Sequence, residues 1–305
     1  MGRAMRKTLL LSVLVLALLW SASRLLARPV PPHPWFVPRT GEHAPLVFAH
    51  QGGEGQWPSN TMLAFEQATA AGADVLDADM HLTLDGVPVL IHDQTVDRTT
   101  DGSGALRDLT LAQVEQFDAG YNFSPDGGST FPWRGKGLTV PTLEALFVRF
   151  PDSRFGIEIK QADPDLAART FCALIRQYDM EDQVLISSFR QSNMDAFRRE
   201  CPAVATSATE EEVRWFYILF RLGLRDPRTP PYQSFQIPES AGGFHLLTPR
   251  FIGAAHARGL PVQPWTINEP ADLQRIIGLG VDGINTDYPE RLLELVQEEA
   301  IEPGG

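Results

Sequence analysis

Residues 46–92 read LVFAHQGGEGQWPSNTMLAFEQATAAGADVLDADMHLTLDGVPVLIH. A short apolar run at 46–50 gives way to a helical pattern at 60–71 and then to two more apolar runs, 74–80 and 87–92. The chain is thus switching between the period of two that marks strands and the period of 3.6 that marks helices. The rhythm continues downstream, with strands predicted at 154–160, 183–187, 203–207, 261–266 and 283–286 and helices at 141–150, 164–178, 190–200, 248–258, 270–279 and 289–299. Eight strands alternating with helices over about 250 residues predict an α/β fold, a parallel sheet closed as a (β/α)8 TIM-type barrel. A doubly wound sheet is disfavoured because Gly52, Gly53 and Gly55 do not have the GxGxxG spacing of a dinucleotide site.

Two segments interrupt the rhythm. Residues 101–139 are turn-rich and carry Tyr121, Phe123, Phe131 and Trp133, which predicts an insertion after the third strand, over the C-terminal face of the barrel. Residues 209–224 begin with Glu210, Glu211 and Glu212 and continue with Trp215, Phe216, Ile218, Leu219, Phe220 and Leu222. The carboxylates suit a helix N-terminus. The apolar residues are too many for one narrow stripe, so the helix is either well buried or in contact with lipid or an acyl chain.

Ahead of the barrel, Arg3, Arg6 and Lys7 precede an apolar run from Leu9 to Trp20 broken only by Ser12. Residues 1–28 therefore predict a hydrophobic signal peptide or membrane anchor, with the remainder extracytoplasmic. Residues 29–44 hold five prolines between Pro29 and Pro38 and read as a stiff tether. The barrel is expected over 45–297 and a tail over 298–305. The chain has 26 Lys and Arg against 38 Asp and Glu, a net charge of -12; residues 1–40 hold six basic and no acidic residues, which leaves the body at -18. A body this acidic predicts no nucleic-acid partner. Cys172 and Cys201 are too few for a zinc site, and a single disulfide is compatible with export.

The chemistry-bearing residues cluster at strand ends. His50 and His92 each follow an apolar run, which places them at the C-terminal mouth of a barrel. Asp77 and Asp79 lie two apart on one strand, as do Glu158 and Lys160 on another, so each pair shares a face. Three carboxylates, one ammonium and two imidazoles meeting in one mouth would be costly without a cation. Asp77, Asp79 and Glu158 are the expected ligands, and oxygen-only ligation favours Mg2+ or Ca2+ over Zn2+. Singly, each feature has an ordinary structural explanation. Jointly they are equipment for phosphodiester cleavage, in which the cation and Lys160 neutralise phosphoryl charge, one imidazole activates a nucleophile and the other protonates the leaving oxygen.

HisGlnGlyGly at 50–53, ProSerAsnThr at 58–61, the AspAlaAsp block at 77–86, the HisAspGlnThr block at 92–102, GluIleLys at 158–160, TrpThrIleAsn from 265 and GlyValAspGlyIleAsnThrAspTyrPro ending at 289 occur in that order. Together they resemble the glycerophosphodiester phosphodiesterase family from about residue 45 to 295. The resemblance implies a (β/α)8 barrel, a divalent cation on Asp77, Asp79 and Glu158, His50 and His92 as the acid and base, and Lys160 on the phosphate. Three departures stand out. Gln51 occupies the family's usual Arg position, which implies weaker phosphate binding; Ser59 replaces Glu beside kept Asn60 and Thr61; and Asp77 stands where Glu is customary. Trp265 is expected to contact substrate, and Asp287 has the place of a helix cap.

The reading that follows is an extracytoplasmic, metal-dependent hydrolase of glycerophosphodiesters or lysophospholipids, either membrane-anchored by its N-terminal segment or secreted. The alternatives are a phospholipase C-like enzyme that cuts the other phosphoester bond, and a phosphoester-binding module with impaired catalysis.

Overall fold

The computed structural model describes residues 3–161 and 163–301. Its strands are β1 (Leu46–Ala49), β2 (Val75–Leu82), β3 (Pro88–Leu90), β4 (Arg154–Ile159), β5 (Val184–Ser187), β6 (Ala205–Thr206), β7 (Phe235–Pro238), β8 (Ser240–Ala241), β9 (Phe244–His245), β10 (Val262–Trp265) and β11 (Gly283–Thr286). Its helices are α1 (Arg3–Leu26), α2 (Met62–Ala71), α3 (Leu111–Val114), α4 (Leu143–Arg149), α5 (Pro164–Gln177), α6 (Gln191–Glu200), α7 (Glu210–Arg221), α8 (Pro249–His256), α9 (Pro270–Ile277) and α10 (Pro289–Ile301).

Parallel pairing runs β11–β1–β2–β4–β5–β6, and β7 pairs in parallel with β10. The two sheets join into one ring. A parallel bridge links Ser207 to Ser234 between β6 and β7, and backbone hydrogen bonds from Ile267 to Asn285 and from Asp282 to Val262 tie β10 to β11. Each ring strand is followed by a helix, the TIM-type α/β arrangement. Strands such as β4 and β5 are almost wholly buried because they face the barrel interior on one side and a helix on the other. The helices start on side-chain caps: Thr61, Thr142, Asp163, Thr209 and Thr248 each accept a hydrogen bond from the first turn.

Two strand assignments are corrected. The run at 87–92 is not a barrel strand: β3 turns back antiparallel on β2, pairing Leu90 with Met80 and Pro88 with Leu82. The cause is legible at Asp85-Gly86, where Gly86 takes a φ of +79° and Thr83 and Val87 close the turn. The eighth ring strand is instead β7, a four-residue run ending in Pro238 that was not predicted. The insertion at 101–139 packs Leu106, Val114 and Ala119 against Val89, Ile91 and Val96 of the segment that precedes it.

The proline-rich stretch is not a free tether. Trp35 is fully buried with Phe48, Val75, Leu185 and Ala205, and its indole N–H donates to the carbonyls of Phe155 and Gln183 at 3.3 and 3.1 Å. It seals the barrel floor under β4 and β5. Buried Arg154 pairs with Glu42 at 3.1 Å. Cys172 on α5 and Cys201 after α6 form a disulfide.

The predicted spanning role of residues 1–28 finds no support, since among the described residues no helix is long and apolar enough to cross a membrane. Helix α1 leaves Leu10, Leu11, Val13 and Leu14 exposed. At its C-terminal end, Arg24 donates to the Gly223 carbonyl and Ser23 accepts from the Arg225 backbone, each at 3.4 Å. The predicted tail begins within α10, and residues 302–305 lie outside the described chain.

Candidate active site

His50 leaves β1 into a tight turn in which Gln51, Gly52 and Gly53 have φ of +53°, +81° and +94°. Glycine at 52 is required twice over, by that φ and because a Cβ would lie 2.6 Å from the Cβ of Ala64 on α2. Asp77 and Asp79 project from β2, and in the β2–β4 register Asp79 stands opposite Glu158 and Asp77 opposite Gly156. Gly156 makes room for its neighbour: a Cβ there would come within 2.5 Å of Asp77 Oδ1. Lys160 follows β4. His92 reaches the same mouth from the other direction, because β3 folds back along β2 and Ile91 N–H donates to Asp79 O at 3.0 Å.

These six side chains line one cavity of about 470 Å³. Its opposite wall is apolar, formed by Phe189, Val213, Ile237, Leu246 and Trp265. Trp265 meets the Phe189 ring edge-on at 5.5 Å. The insertion at 101–139 contributes nothing to the lining, contrary to its expected place over the mouth.

Each imidazole has a carboxylate on Nδ1. His50 Nδ1 donates to Asp287 Oδ1 at 2.6 Å, and Asn268 Nδ2 donates to Asp287 Oδ2 at 2.6 Å. His92 Nδ1 donates to Asp93 Oδ1 at 2.7 Å, and Arg98 Nε holds the other Asp93 oxygen at 2.7 Å. Both rings therefore carry the Nδ1 proton and leave Nε2 for chemistry. Burial opposes charging of His50, but the Asp287 hydrogen bond and the charges of Asp77, Asp287 and Asp79 outweigh it and raise the imidazole to about 9. Lys160 Nζ lies 2.8 Å from Glu158, 3.4 Å from Asp79 and 3.0 Å from His92 Nε2.

Asp287, Asp93, Asn268 and Arg98 were missed as functional positions. Asp93 had a signal in its adjacency to His92; Asp287 had only its place in the final motif. Gln51, expected to bind the phosphate through its amide, is instead buried and absent from the cavity wall. Its carbonyl oxygen accepts from the Ser59 hydroxyl and from Asn60 Nδ2, and its Nε2 faces His50 Nε2 at 3.3 Å. The two departures at 51 and 59 are thus one contact, a neutral hydrogen-bonded pair.

The donor set fits a hard divalent cation. Burial, helped by the neighbouring carboxylates, pushes both Asp77 and Glu158 up to about 7 although His50 beside Asp77 and Lys160 beside Glu158 oppose it, so their negative charge is incompletely compensated. Asn285 Nδ2 holds Asp77 Oδ2 at 2.9 Å and Asn60 Nδ2 holds Asp79 Oδ2 at 3.1 Å, which orients these carboxylates. Asp77, Asp79 and Glu158 do not themselves bring their ligand atoms within 4.8 Å of one another; among the described residues the trio that does is His50, Glu54 and Asp287. There, however, His50 and Asp287 already satisfy each other.

Comparison with known proteins agrees with this geometry. Residues 50–291 match the model of the glycerophosphoryl diester phosphodiesterase family. A glycerophosphodiester phosphodiesterase of Caldanaerobacter subterraneus is 34% identical over 258 residues, covering 83% of this chain and 98% of the relative. A lysophospholipase D of Mus musculus is 27% identical over 300 residues, covering 89% and 88%. Among solved structures, a glycerophosphodiester phosphodiesterase from Agrobacterium tumefaciens superposes with a TM-score of 0.68 at 24% identity, covering 82% of this chain and 99% of that one. A phosphodiesterase from Oleispira antarctica, in complex with the product sn-glycerol-3-phosphate, superposes with a TM-score of 0.67 at 24% identity, covering 83% and 97%. With a family match over most of its length and two imidazoles, a lysine and three carboxylates gathered at the barrel mouth, the chain belongs to the glycerophosphodiester phosphodiesterase family.

Proposed function

We propose that this phosphoric diester hydrolase cleaves glycerophosphodiesters, lysophospholipids among them, to an alcohol and a glycerol phosphate species, with His92 as the base toward the nucleophile and His50 as the acid toward the leaving oxygen. The observation that carries the reading is the matched pair of imidazoles, each fixed by a carboxylate on Nδ1. His92 Nε2 accepts from the Lys160 ammonium and so holds a free lone pair when that contact opens. It takes the proton of the attacking hydroxyl, from water or from the substrate's own glycerol, as that oxygen bonds to phosphorus. His50, held protonated by Asp287, delivers a proton to the alcohol oxygen as its bond to phosphorus breaks. Lys160 neutralises the phosphoryl oxygens. Asp77, Asp79 and Glu158 would hold a divalent cation, Mg2+ or Ca2+, whose charge lowers the cost of gathering negative oxygens there.

The apolar wall of Phe189, Ile237, Leu246 and Trp265 favours a substrate with an acyl chain, in keeping with the lysophospholipase D relative. An extracytoplasmic location, with residues 1–28 as signal or membrane attachment, is supported by the exposed apolar face of α1 and by the Cys172–Cys201 disulfide.

The test uses chelator-stripped protein assayed on glycerophosphocholine and lysophosphatidylcholine with Mg2+ or Ca2+, beside His50→Ala. Cation-dependent release of choline that vanishes in the variant is expected, with lysophosphatidylcholine the faster substrate. Release of phosphocholine instead would place the cut on the other side of the phosphate and overturn the assignment. Slower turnover of the lysolipid would remove the acyl preference.

A further inference from the structure

Helix α7 is apolar on two sides. Its inner side carries Val213, Phe216, Tyr217 and Phe220, and the Phe216 ring lies 4.8 Å from Phe235 and 5.5 Å from Phe251. That face explains the helix as part of the barrel wall. It does not explain Trp215, Ile218 and Leu222, which follow at intervals of three and four residues and are 48%, 44% and 64% exposed. Phe244, 54% exposed at the β8–β9 hairpin, packs instead on the inner side, with its ring 5.7 Å from Tyr217. A row of large apolar side chains facing water at helical spacing marks a surface that is covered in use.

Three observations identify the cover. The exposed helix α1 is fastened to the C-terminal end of α7, through Arg24 to Gly223 and Ser23 to Arg225, so a second run of exposed apolar side chains, Leu10, Leu11, Val13 and Leu14, belongs to a helix that adjoins this patch. Arg24 and Arg225 lie at that junction and Arg221, bonded to the Tyr217 hydroxyl, ends α7; among the described residues no carboxylate pairs with any of them, although the body of the protein is strongly acidic. Cations with no carboxylate partner beside an apolar stripe suit the phosphates of a lipid surface. The Trp215 indole, finally, donates to Asp226 at 2.9 Å, so the ring is held with an apolar body outward and its polar edge satisfied, the arrangement favoured at a bilayer interface.

We infer that the outer stripe of α7, Trp215, Ile218 and Leu222, is a docking surface for an anionic lipid bilayer. The same helix lines the catalytic cavity through Glu210 and Val213, and Ala241 of the hairpin lines it too. Docking therefore sets the cavity mouth beside the membrane, where an amphiphilic substrate is concentrated. That last consequence rests on the proposed lysophospholipid activity; the docking itself does not.

Full-length protein is mixed with vesicles of phosphatidylcholine and phosphatidylglycerol whose acyl chains carry bromine, and tryptophan emission is recorded for the wild type, Trp215→Phe and Ile218→Glu/Leu222→Glu. The expected result is quenching in the wild type with a component that disappears in Trp215→Phe. The double variant should partition on the order of tenfold more weakly, because two apolar side chains are replaced by charges. Hydrolysis of glycerophosphocholine in solution should be unchanged in both variants while that of vesicle-borne lysophosphatidylcholine falls. Equal quenching in the wild type and Trp215→Phe would overturn the proposal, because α1 is present in both. So would a dimer in analytical ultracentrifugation that the double variant abolishes, since a second copy would then be the cover. Absence of all turnover would refute the proposed activity and leave the quenching test intact.

Discussion

Asp287 Oδ1 accepts a hydrogen bond from His50 Nδ1 at 2.6 Å, joining the end of β11 to the turn after β1 across 237 positions of sequence. The carboxylate fixes the ring's tautomer and favours its protonated form, which is what a general acid needs. Asp287→Asn should therefore lower kcat by about 10²- to 10⁴-fold. It should also move the alkaline limb of the kcat/KM profile to lower pH, because activity that needs a protonated His50 is lost as pH rises through its pKa. A reduced rate with that limb unmoved would mean that His50 is not the acid.

The buried carboxylates make metal binding pH-dependent. Asp77 and Glu158 are raised to about 7 from ordinary values of 3.8 and 4.5 in the cation-free protein. The native state then keeps protons that the unfolded chain releases, so stability from these groups falls as pH rises toward about 7. A divalent cation removes that penalty, and its stabilising effect should grow with pH over the same window. Melting temperatures with and without Mg2+ or Ca2+ at a series of pH values test this. A cation-induced gain independent of pH would tell against Asp77 and Glu158 as ligands.

Gly156 is in effect a site residue, although it has no side chain. Gly156→Ala would bring a Cβ to 2.5 Å from Asp77 Oδ1 and force that carboxylate from its place beside Asn285. Cation affinity should fall by about 10- to 100-fold, the usual cost of disturbing a ligand's support. Calorimetric titration of the cation into the variant, beside its circular dichroism spectrum, separates this effect from misfolding; undiminished affinity would show that Asp77 is not a ligand.

The disulfide closes 29 residues of chain between α5 and the end of α6. A loop of that size is worth about 3 kcal/mol, so reduction should lower the melting temperature by roughly 6–10 °C. The cysteines lie away from the catalytic cavity, and turnover at 25 °C should persist after reduction. A melting curve unchanged by reductant would show that the bond does not constrain the barrel.

The alternation of apolar runs and helical faces was enough to read the α/β fold, because burial on both faces leaves its mark along each strand. The count of eight strands was right for a partly wrong reason. Residues 87–92 are as apolar as a barrel strand, and only the Asp85-Gly86 turn betrays the hairpin; Phe235–Pro238 is short and bounded by prolines, so its pattern is lost. The lining residues were legible because pairs two apart on a strand must share a face. Their supports were not. Asp287 reads locally as a cap, Trp35 as part of a tether and Gln51 and Ser59 as two separate losses, and each acquires its role only from a partner that the closing of the barrel brings near.

Lys160 allows a sharper discrimination than either histidine. Its ammonium touches Glu158, Asp79 and His92 Nε2, so it is either a counter-ion that keeps the carboxylates together or the group that meets the phosphate. The two roles make opposite demands on the cation. In Lys160→Met the carboxylates lose their competing positive charge, and a phosphate-binding role leaves their affinity for Mg2+ or Ca2+ equal or higher at pH 8 while kcat falls by about 10²- to 10³-fold. A counter-ion role makes both fall together, as the carboxylates lose their positioning. Cation titration and steady-state kinetics on the same preparation decide between them, and the geometry favours the first outcome: Asn60 and Asn285 already orient two of the three carboxylates without help from the lysine.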